Sequence, residues 1–311
     1  MLKKCLIVDP MHDSLFPMLE AIGWKVTYNP EISRSEIKRI HHEYTGLIVR
    51  SKTKVDRDLL GENPSIKFVG RAGAGVDNLD LGYLAEKKIQ AIHAAEGNRD
   101  AVGEHTIGLL ISLLRNIARA DREVRTFQWH REENRGVEII GKTVGIIGYG
   151  NMGHAFARRL SGFGCKVLAY DKYKAGFSDS FCQQAGMEQI EQEADFLSLH
   201  IPLTGETRGL VNATYLNRFK KKIALINTSR GEIVSLKDVL TLLNSGKLIG
   251  AALDVLENEK LKELTPDEQE IFNKLTQLSN VIFTPHIAGW TFESHIKINV
   301  ALTDKIKSLV F

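Results

Sequence analysis

Residues 141–153 read GKTVGIIGYGNMG. An apolar run at 143–147 leads into Gly148, Gly150 and Gly153, spaced as G-x-G-x-x-G, and a helical pattern from Ala155 to Phe163 follows. In such a turn the first glycine permits a tight reversal, the second lets a pyrophosphate approach the backbone, and the third lets helix and strand pack closely. The phosphates would rest on the unpaired N–H groups at the helix start. A glycine triad alone fits many close-packed α/β turns. Here the next strand ends in Asp171, 23 residues after Gly148. A carboxylate there accepts hydrogen bonds from adenosine ribose hydroxyls and repels a 2′-phosphate, so the combined pattern predicts NAD rather than NADP. The adjacent Lys172 pulls weakly the other way.

Outward from this turn, short apolar runs alternate with amphipathic stretches. Before it, strands are expected at Lys4–Asp9, Lys25–Tyr28, Gly46–Arg50, Lys67–Arg71 and Ala91–Ala94, with helices such as Leu15–Ile22 and Asp80–Lys88 between them. After the turn's own strand, Thr143–Gly148, further strands are expected at Lys166–Asp171, Phe196–His200, Ile223–Thr228, Ile249–Asp254 and Val281–Thr284. This alternation implies parallel sheets covered by helices. Between the two series, 100–126 reads as one long linker helix, with Ile107, Leu110, Leu114, Ile117 and Val124 on or near one stripe. The last helix, Phe292–Leu309, is expected to return to the first domain. The fold class is therefore α/β, with two doubly wound parallel-sheet domains and a cleft between them. The first, residues 1–98 and 287–311, is flavodoxin-like and would hold substrate. The second, 99–286, is a Rossmann domain for NAD.

Composition narrows the function classes. The 311 residues are 43% hydrophobic and 25% charged, with a net charge of +3, an ordinary globular balance for about two domains. Basic residues are interleaved with acids, which argues against a nucleic-acid surface, and the run Lys220–Lys222 reads as a solvated turn. Cys5, Cys165 and Cys182 have neither pairing nor metal-ligand spacing, so a reducing cytoplasm and no metal are expected. The first apolar run ends at Asp9 and Pro10, too short for a secretory core, and Ile107–Leu114 falls far short of a membrane span.

Oxidising a 2-hydroxy acid by hydride transfer requires a grip on the carboxylate, a base for the hydroxyl proton and a group that orients that base. Arg230 follows an apolar strand in INTSRG, and ligands of such sheets lie beyond the strands' carboxyl ends. A guanidinium there can hold a carboxylate through two parallel bonds, although a lone arginine is more often a surface ion pair. His286 follows a strand in FTPHIAGW and can act as base and acid in turn, against the bland reading of a structural histidine. Glu259, just beyond the ALDV strand, could orient the imidazole or be a plain loop charge. Asp254 ends that strand and could meet a nicotinamide or cap a turn.

At these positions the chain resembles the D-2-hydroxyacid dehydrogenase family, and most closely its phosphoglycerate-oxidising members. VRSKTKV and GRAGAGVDNLD are similar to the family's substrate loops and GNRDAVGEHT to its interdomain segment. GYGNMG, LHIPLTGET, NTSRGEIV, GAALDV and TPHIAG follow in the family's order. The resemblance implies that Arg230 binds the substrate carboxylate, that His286 is the acid–base and that Glu259 pairs with it. It places Tyr149, Gly150, Asn151 and Met152 around the pyrophosphate, Asp171 on the ribose and Asp254 on the nicotinamide carboxamide. His200, Pro202, Thr207, Thr228 and Ala288 would line the dinucleotide. Arg50, Ser51, Arg71, the amides of Ala74 and Gly75, and Asn98 would line the substrate pocket. A homodimer through the linker-helix region is implied, with Arg131 reaching the partner's site, and closure of the domains over NAD and substrate.

Three features depart from the family: Lys260 where proline usually follows the glutamate, a long charged loop from Lys260 to Asn280, and the bulky Trp290 after PHIAG. With no chain after Phe311, a C-terminal regulatory domain and serine feedback are not expected. The leading substrate is D-3-phosphoglycerate, with Arg50, Arg71 and Arg131 neutralising its phosphate. The rival is a glyoxylate or hydroxypyruvate reductase. A more distant one is a nucleotide-sensing corepressor or scaffold on the same fold. Formate oxidation is disfavoured, because its enzymes carry glutamine where Glu259 stands.

Overall fold

The computed structural model describes residues 3–309. Positions 1–2 and 310–311, assigned above to the first domain, lie outside them. The chain divides into two units, Met1–Arg99 with Trp290–Phe311, and Asp100–Gly289.

In the first unit, β1 (Lys3–Ile7), β2 (Trp24–Tyr28), β3 (Gly46–Val49), β4 (Phe68–Arg71) and β5 (Gln90–His93) form one sheet in the order β2-β1-β3-β4-β5. All its pairings are parallel. This is the flavodoxin-like order. Successive side chains of a strand point to opposite faces, and here both faces are covered. Cys5, Ile7 and Ile48 join one core, while Leu6, Val8, Leu47 and Val49 join the other. The helix Phe292–Lys307, capped by Thr291, sends Ile298, Leu302 and Ile306 into the first of these cores. Gly97 allows the close approach, since a Cβ there would lie 2.4 Å from the backbone of Ile298.

The second unit has seven parallel strands: β6 (Thr143–Ile147), β7 (Lys166–Tyr170), β8 (Gln183–Gln184), β9 (Phe196–Leu199), β10 (Ile223–Asn227), β11 (Leu248–Leu253) and β12 (Val281–Phe283). Their order is β12-β11-β10-β9-β6-β7-β8, the Rossmann arrangement extended by one strand. Ile223 and Leu225 face one core, Ala224 and Ile226 the other. All four are fully buried, and each large aliphatic contributes about 2 kcal/mol by leaving water. The polar β8 carries no apolar signal and was not anticipated.

Two expectations are corrected. The single helix over 100–126 is two, Ala95–Leu114 and Ile117–Arg125, broken where Asn116 takes a left-handed conformation at φ 53°. Asparagine tolerates that geometry far better than most residues. The charged stretch 260–280 is not all loop, because it contains the helix Pro266–Thr276. A Thr265–Glu268 capping box and a proline at the helix start nucleate it.

Candidate functional site

The glycine turn joins β6 to the helix Asn151–Leu160 at the topological switch point between β6 and β9. Gly148 has φ 93°, and a Cβ on it would lie 2.4 Å from the His200 carbonyl oxygen at the end of β9. A Cβ on Gly153 would lie 2.1 Å from the Gly148 oxygen, so helix and turn meet backbone to backbone. At Gly150 no atom lies within 4 Å of an added Cβ, so its backbone is open on that side. The turn thus fits a dinucleotide phosphate, with Asn151, Met152 and Gly153 in the first helical turn. Tyr149 is engaged elsewhere: its N–H donates to Asp171 (2.9 Å), its hydroxyl donates to Asp179 (2.8 Å) and its ring stacks on Phe177. Asp171 also accepts from Tyr173 N–H (3.0 Å). Lys172, the residue that favoured a 2′-phosphate, donates to Glu206 at 2.5 Å.

His200 lies within 2.9 Å of Ser198 Oγ through Nε2, while its Nδ1 is buried without a partner. Burial pushes its pKa down to about 3, so the ring is neutral. Thr207 donates to the Pro202 carbonyl (2.7 Å) and shapes the turn after β9. Thr228 lies against Thr106 (3.2 Å), which itself bonds back to Val102 within its helix.

His286 sits on the loop after β12 with φ 54°, a strained position for a residue with a side chain. Its N–H donates to the carbonyls of Asp254 (2.8 Å) and Thr284 (3.0 Å). The loop is clamped by Asp254, which is 1% exposed. One carboxylate oxygen accepts from Thr284 Oγ1 (2.6 Å) and Ile287 N–H (2.9 Å), the other from Ala288 N–H (2.9 Å). Burial pushes this carboxyl up, but bonds from His105, Thr284, Ala288 and Ile287 outweigh it and hold its pKa below the usual carboxylate range. Asp254, expected at the nicotinamide, also holds the histidine loop. His105, whose Nε2 lies 3.1 Å from Thr284 Oγ1, supports it from the long helix, and nothing in its sequence setting marked it for this.

Glu259 holds His286 Nδ1 with both oxygens, at 2.9 and 3.0 Å. A carboxylate only accepts, so Nδ1 carries a proton, and in the neutral form of the ring Nε2 presents its lone pair. The two side chains are 45% and 46% exposed, so a small molecule can reach them.

Arg230 follows β10 on a turn built by the fully buried Asn227. Asn227 accepts from Ser229 N–H (3.0 Å) and Oγ (2.7 Å) and donates to the Arg230 carbonyl (2.9 Å). Arg230 Nη1 donates to the Ser229 carbonyl (2.6 Å). A Cβ on Gly231 would lie 1.9 Å from the backbone of Leu256, so this turn packs directly on the segment leading to Glu259. Arg131 is exposed on the stretch following the helix Ile117–Arg125.

In the first unit, the buried Asp9 stands at the switch point between β1 and β3. It accepts from the N–H groups of Arg50 (2.6 Å), Lys52 (3.1 Å) and Thr53 (3.3 Å) and from Thr53 Oγ1 (2.5 Å). Asn78 donates to the carbonyls of Arg50 (3.1 Å) and Thr53 (2.7 Å). These two residues, absent from the sequence-based set, build the loop carrying Arg50 and Ser51. Arg71 lies over its own turn, where Gly73 (φ 143°) makes room for the guanidinium. Ala74 and Gly75 are half-buried on that turn, and Asn98 Oδ1 is buried without a partner. Among the described residues no cluster of histidine, cysteine or carboxylate side chains is arranged for a metal, and no helix is long and apolar enough to cross a membrane.

Known proteins resemble this chain in sequence and in fold. Residues 107–288 match the family model "D-isomer specific 2-hydroxyacid dehydrogenase, NAD binding domain". A hydroxypyruvate reductase of Thermotoga maritima is 35% identical over 275 residues, 88% of each chain. A D-3-phosphoglycerate dehydrogenase of Methanocaldococcus jannaschii is 33% identical over 99% of this chain but 57% of its own, so the chain spans a little over half of that relative's length. The crystal structure of a D-lactate dehydrogenase from Aquifex aeolicus, complexed with NAD and lactic acid, superposes with a TM-score of 0.82 at 27% identity, covering 98% of this chain and 95% of that one. The chain belongs to the D-2-hydroxyacid dehydrogenase family, and its second unit is the family's NAD-binding domain.

Proposed function

We propose that the chain is an NAD-dependent oxidoreductase interconverting a D-2-hydroxy acid and its 2-oxo acid. The observation that carries this reading is the His286–Glu259 pair beyond the strand ends of an NAD-binding domain. NAD, when bound, supplies the hydride acceptor. In oxidation His286 Nε2 takes the hydroxyl proton as the C2–O bond becomes a carbonyl, and in reduction the protonated ring returns it. Glu259 fixes the tautomer and steadies the charged ring. Arg230 holds the substrate carboxylate and polarises the carbonyl. Asn151, Met152 and Gly153 hold the pyrophosphate, and Asp171 the ribose. Arg50, Ser51, Ala74, Gly75 and Asn98 recognise the rest of the acid.

The names of several relatives point to D-3-phosphoglycerate, oxidised to 3-phosphohydroxypyruvate on the way to serine, as one candidate substrate. The second reading, reduction of hydroxypyruvate or glyoxylate, is favoured by a specific observation. The Arg50 guanidinium, expected at the phosphate, is stacked on Trp290 at 4.1 Å. We also propose a cytoplasmic homodimer. The exposed Phe127 and Trp129, 100% and 81% accessible, supply an apolar surface for a second copy, and sedimentation of Phe127→Glu against the parent tests it.

The test of function is NADH consumption with hydroxypyruvate, glyoxylate and 3-phosphohydroxypyruvate, beside NAD reduction with D-3-phosphoglycerate. Turnover should fall by about 10²–10⁴ in His286→Gln, the usual contribution of a general acid–base. A wild type inactive across the panel would overturn the enzyme reading in favour of a nucleotide-sensing scaffold.

A further inference from the structure

We propose that Trp290 and His295 are specificity-determining residues that hold Arg50 in one orientation and select short unphosphorylated 2-oxo acids over phosphorylated ones. The inference rests on the reading of Arg50 as a substrate-recognition group, and it names the substrate class.

All three residues belong to the first unit. The Arg50 guanidinium lies over the Trp290 ring, 4.1 Å from its centre, so one face is closed to a ligand. Its Nη2 lies 3.0 Å from His295 Nε2. His295 in turn meets Trp290 edge to face, with ring centres 4.9 Å apart. Arginine has no acceptor, so the bond to His295 requires a neutral ring with its lone pair on Nε2. Burial first, then Arg50 and His12, keep His295 below the ordinary imidazole range, in agreement with that requirement. One face and one nitrogen of Arg50 are therefore occupied, and the side chain offers a single remaining edge.

Arg50 opens on a shallow, solvent-exposed depression lined by Met11, Ala72 and Ile298 and by the polar His12, His295 and Asn299. Among the described residues of this lining, Arg50 is the only permanent cation. A phosphate monoester carries nearly two charges at neutral pH and is bound by several donors or cations together. A single, partly occupied guanidinium with no second cation in the lining leaves such a dianion undercompensated. A hydroxyl needs one donor and fits the remaining edge. Arg71 does not supply the second cation, because its guanidinium packs on its own turn at Gly73. Trp290 and His295 also fix Arg50 before ligand arrives, which lowers the ordering cost of binding a small polar group.

The test compares kcat/KM for hydroxypyruvate and 3-phosphohydroxypyruvate in wild type, Trp290→Ser, Trp290→Phe, His295→Gln and His295→Leu. Wild type should prefer the unphosphorylated acid by about tenfold or more, and Trp290→Ser should shift that ratio by about tenfold toward the phosphorylated one, while Trp290→Phe keeps it. His295→Leu should raise KM for hydroxypyruvate with kcat unmoved, and His295→Gln, which can still accept from Nη2, should restore it. A wild type preferring the phosphorylated acid, or a ratio unmoved in Trp290→Ser, overturns the inference. A second readout needs no turnover. In a Trp129→Phe background with saturating NAD, Trp290 emission reports any ligand at Arg50, since Trp24 is buried. Hydroxypyruvate should change the emission at lower concentration than 3-phosphohydroxypyruvate. If no oxo acid is reduced but this order holds, the enzyme reading fails and the selectivity stands. The reverse order, or no response to either acid, sinks the selectivity.

Discussion

The molecule contains two parallel sheets, each with a topological switch point, and it furnishes the two in different ways. In the second unit the crevice between β6 and β9 is made of backbone: Gly148, Gly150 and Gly153 contribute by lacking side chains, and the wall opposite is the His200 carbonyl. In the first unit the crevice between β1 and β3 is made of side chains, with Asp9 pinning the turn and Arg50 gripped by Trp290 and His295. A surface of N–H groups suits phosphates shared by every dinucleotide, whereas a side-chain surface can be retuned for each acid. Under the proposed function, the generic ligand meets the part of the fold least able to change, and the variable ligand the part most able to.

The sharpest way to break this contrast is Gly148→Val. The left-handed φ and the 2.4 Å approach to His200 leave no room for a side chain. Strain and overpacking together should cost about 3 kcal/mol or more, read as a lower urea midpoint, and NADH affinity should fall at least as steeply. A variant that binds NADH normally would show that the turn is not built on backbone contact. The matching change in the first unit is Asp9→Ala. It strips a buried acceptor from three N–H groups and a hydroxyl, so a loss of about 2–4 kcal/mol is expected. KM for the oxo acid should rise while NADH affinity, measured by fluorescence titration, stays unchanged. Equal damage to both affinities would contradict the separation of roles.

The same contrast explains what could be read from the chain. The glycine turn and Asp171 lie within 24 consecutive residues, and their spacing carries the chemistry. Arg230, Glu259 and His286 each follow an apolar strand of a regular series, so their place at strand ends was legible. The Arg50–His295 bond spans 245 positions, and no local pattern announces it. Asp254 was legible as a strand-end carboxylate, but not as a clamp on the histidine loop, because its partners are backbone groups of residues 287 and 288 and the hydroxyl of Thr284. The break at Asn116 and the helix Pro266–Thr276 were obscured for a simpler reason. The apolar spacing runs on across Asn116 and charged residues fill 266–276, while a left-handed backbone at Asn116 and a capping box at Thr265 set the boundaries.

A smaller effect should appear on the acid side. His200 sits beside the glycine turn with its pKa pushed down to about 3, whereas in the unfolded chain it titrates near 6.5. Between those values the unfolded state binds the extra proton, so stability should fall as pH drops from about 6.5 toward 3. At pH 5 this group alone should cost about 1–2 kcal/mol relative to pH 7. Urea unfolding of His200→Gln across pH 5–7 should show a shallower slope than the parent. Parallel slopes would mean that the ring takes up its proton in the folded state as readily as in the unfolded chain.

The smallest expected change concerns cofactor choice, and it sharpens the claim that the second crevice relies on backbone. Asp171 receives Tyr149 and Tyr173 N–H groups, so it shapes the turn as well as repelling a 2′-phosphate. Asp171→Ser keeps an acceptor while removing the charge, and should improve NADPH relative to NADH by about tenfold, roughly 1.4 kcal/mol. The gain is limited because Lys172, the nearest cation in sequence, is held by Glu206 and lies beside the Tyr173 ring. Freeing it with Glu206→Gln in the Asp171→Ser background should enlarge the NADPH gain, while Glu206→Gln alone should do little against the intact aspartate. If the double variant gains no more than the single, Lys172 does not reach the adenosine phosphate, and discrimination at this turn rests on Asp171 alone.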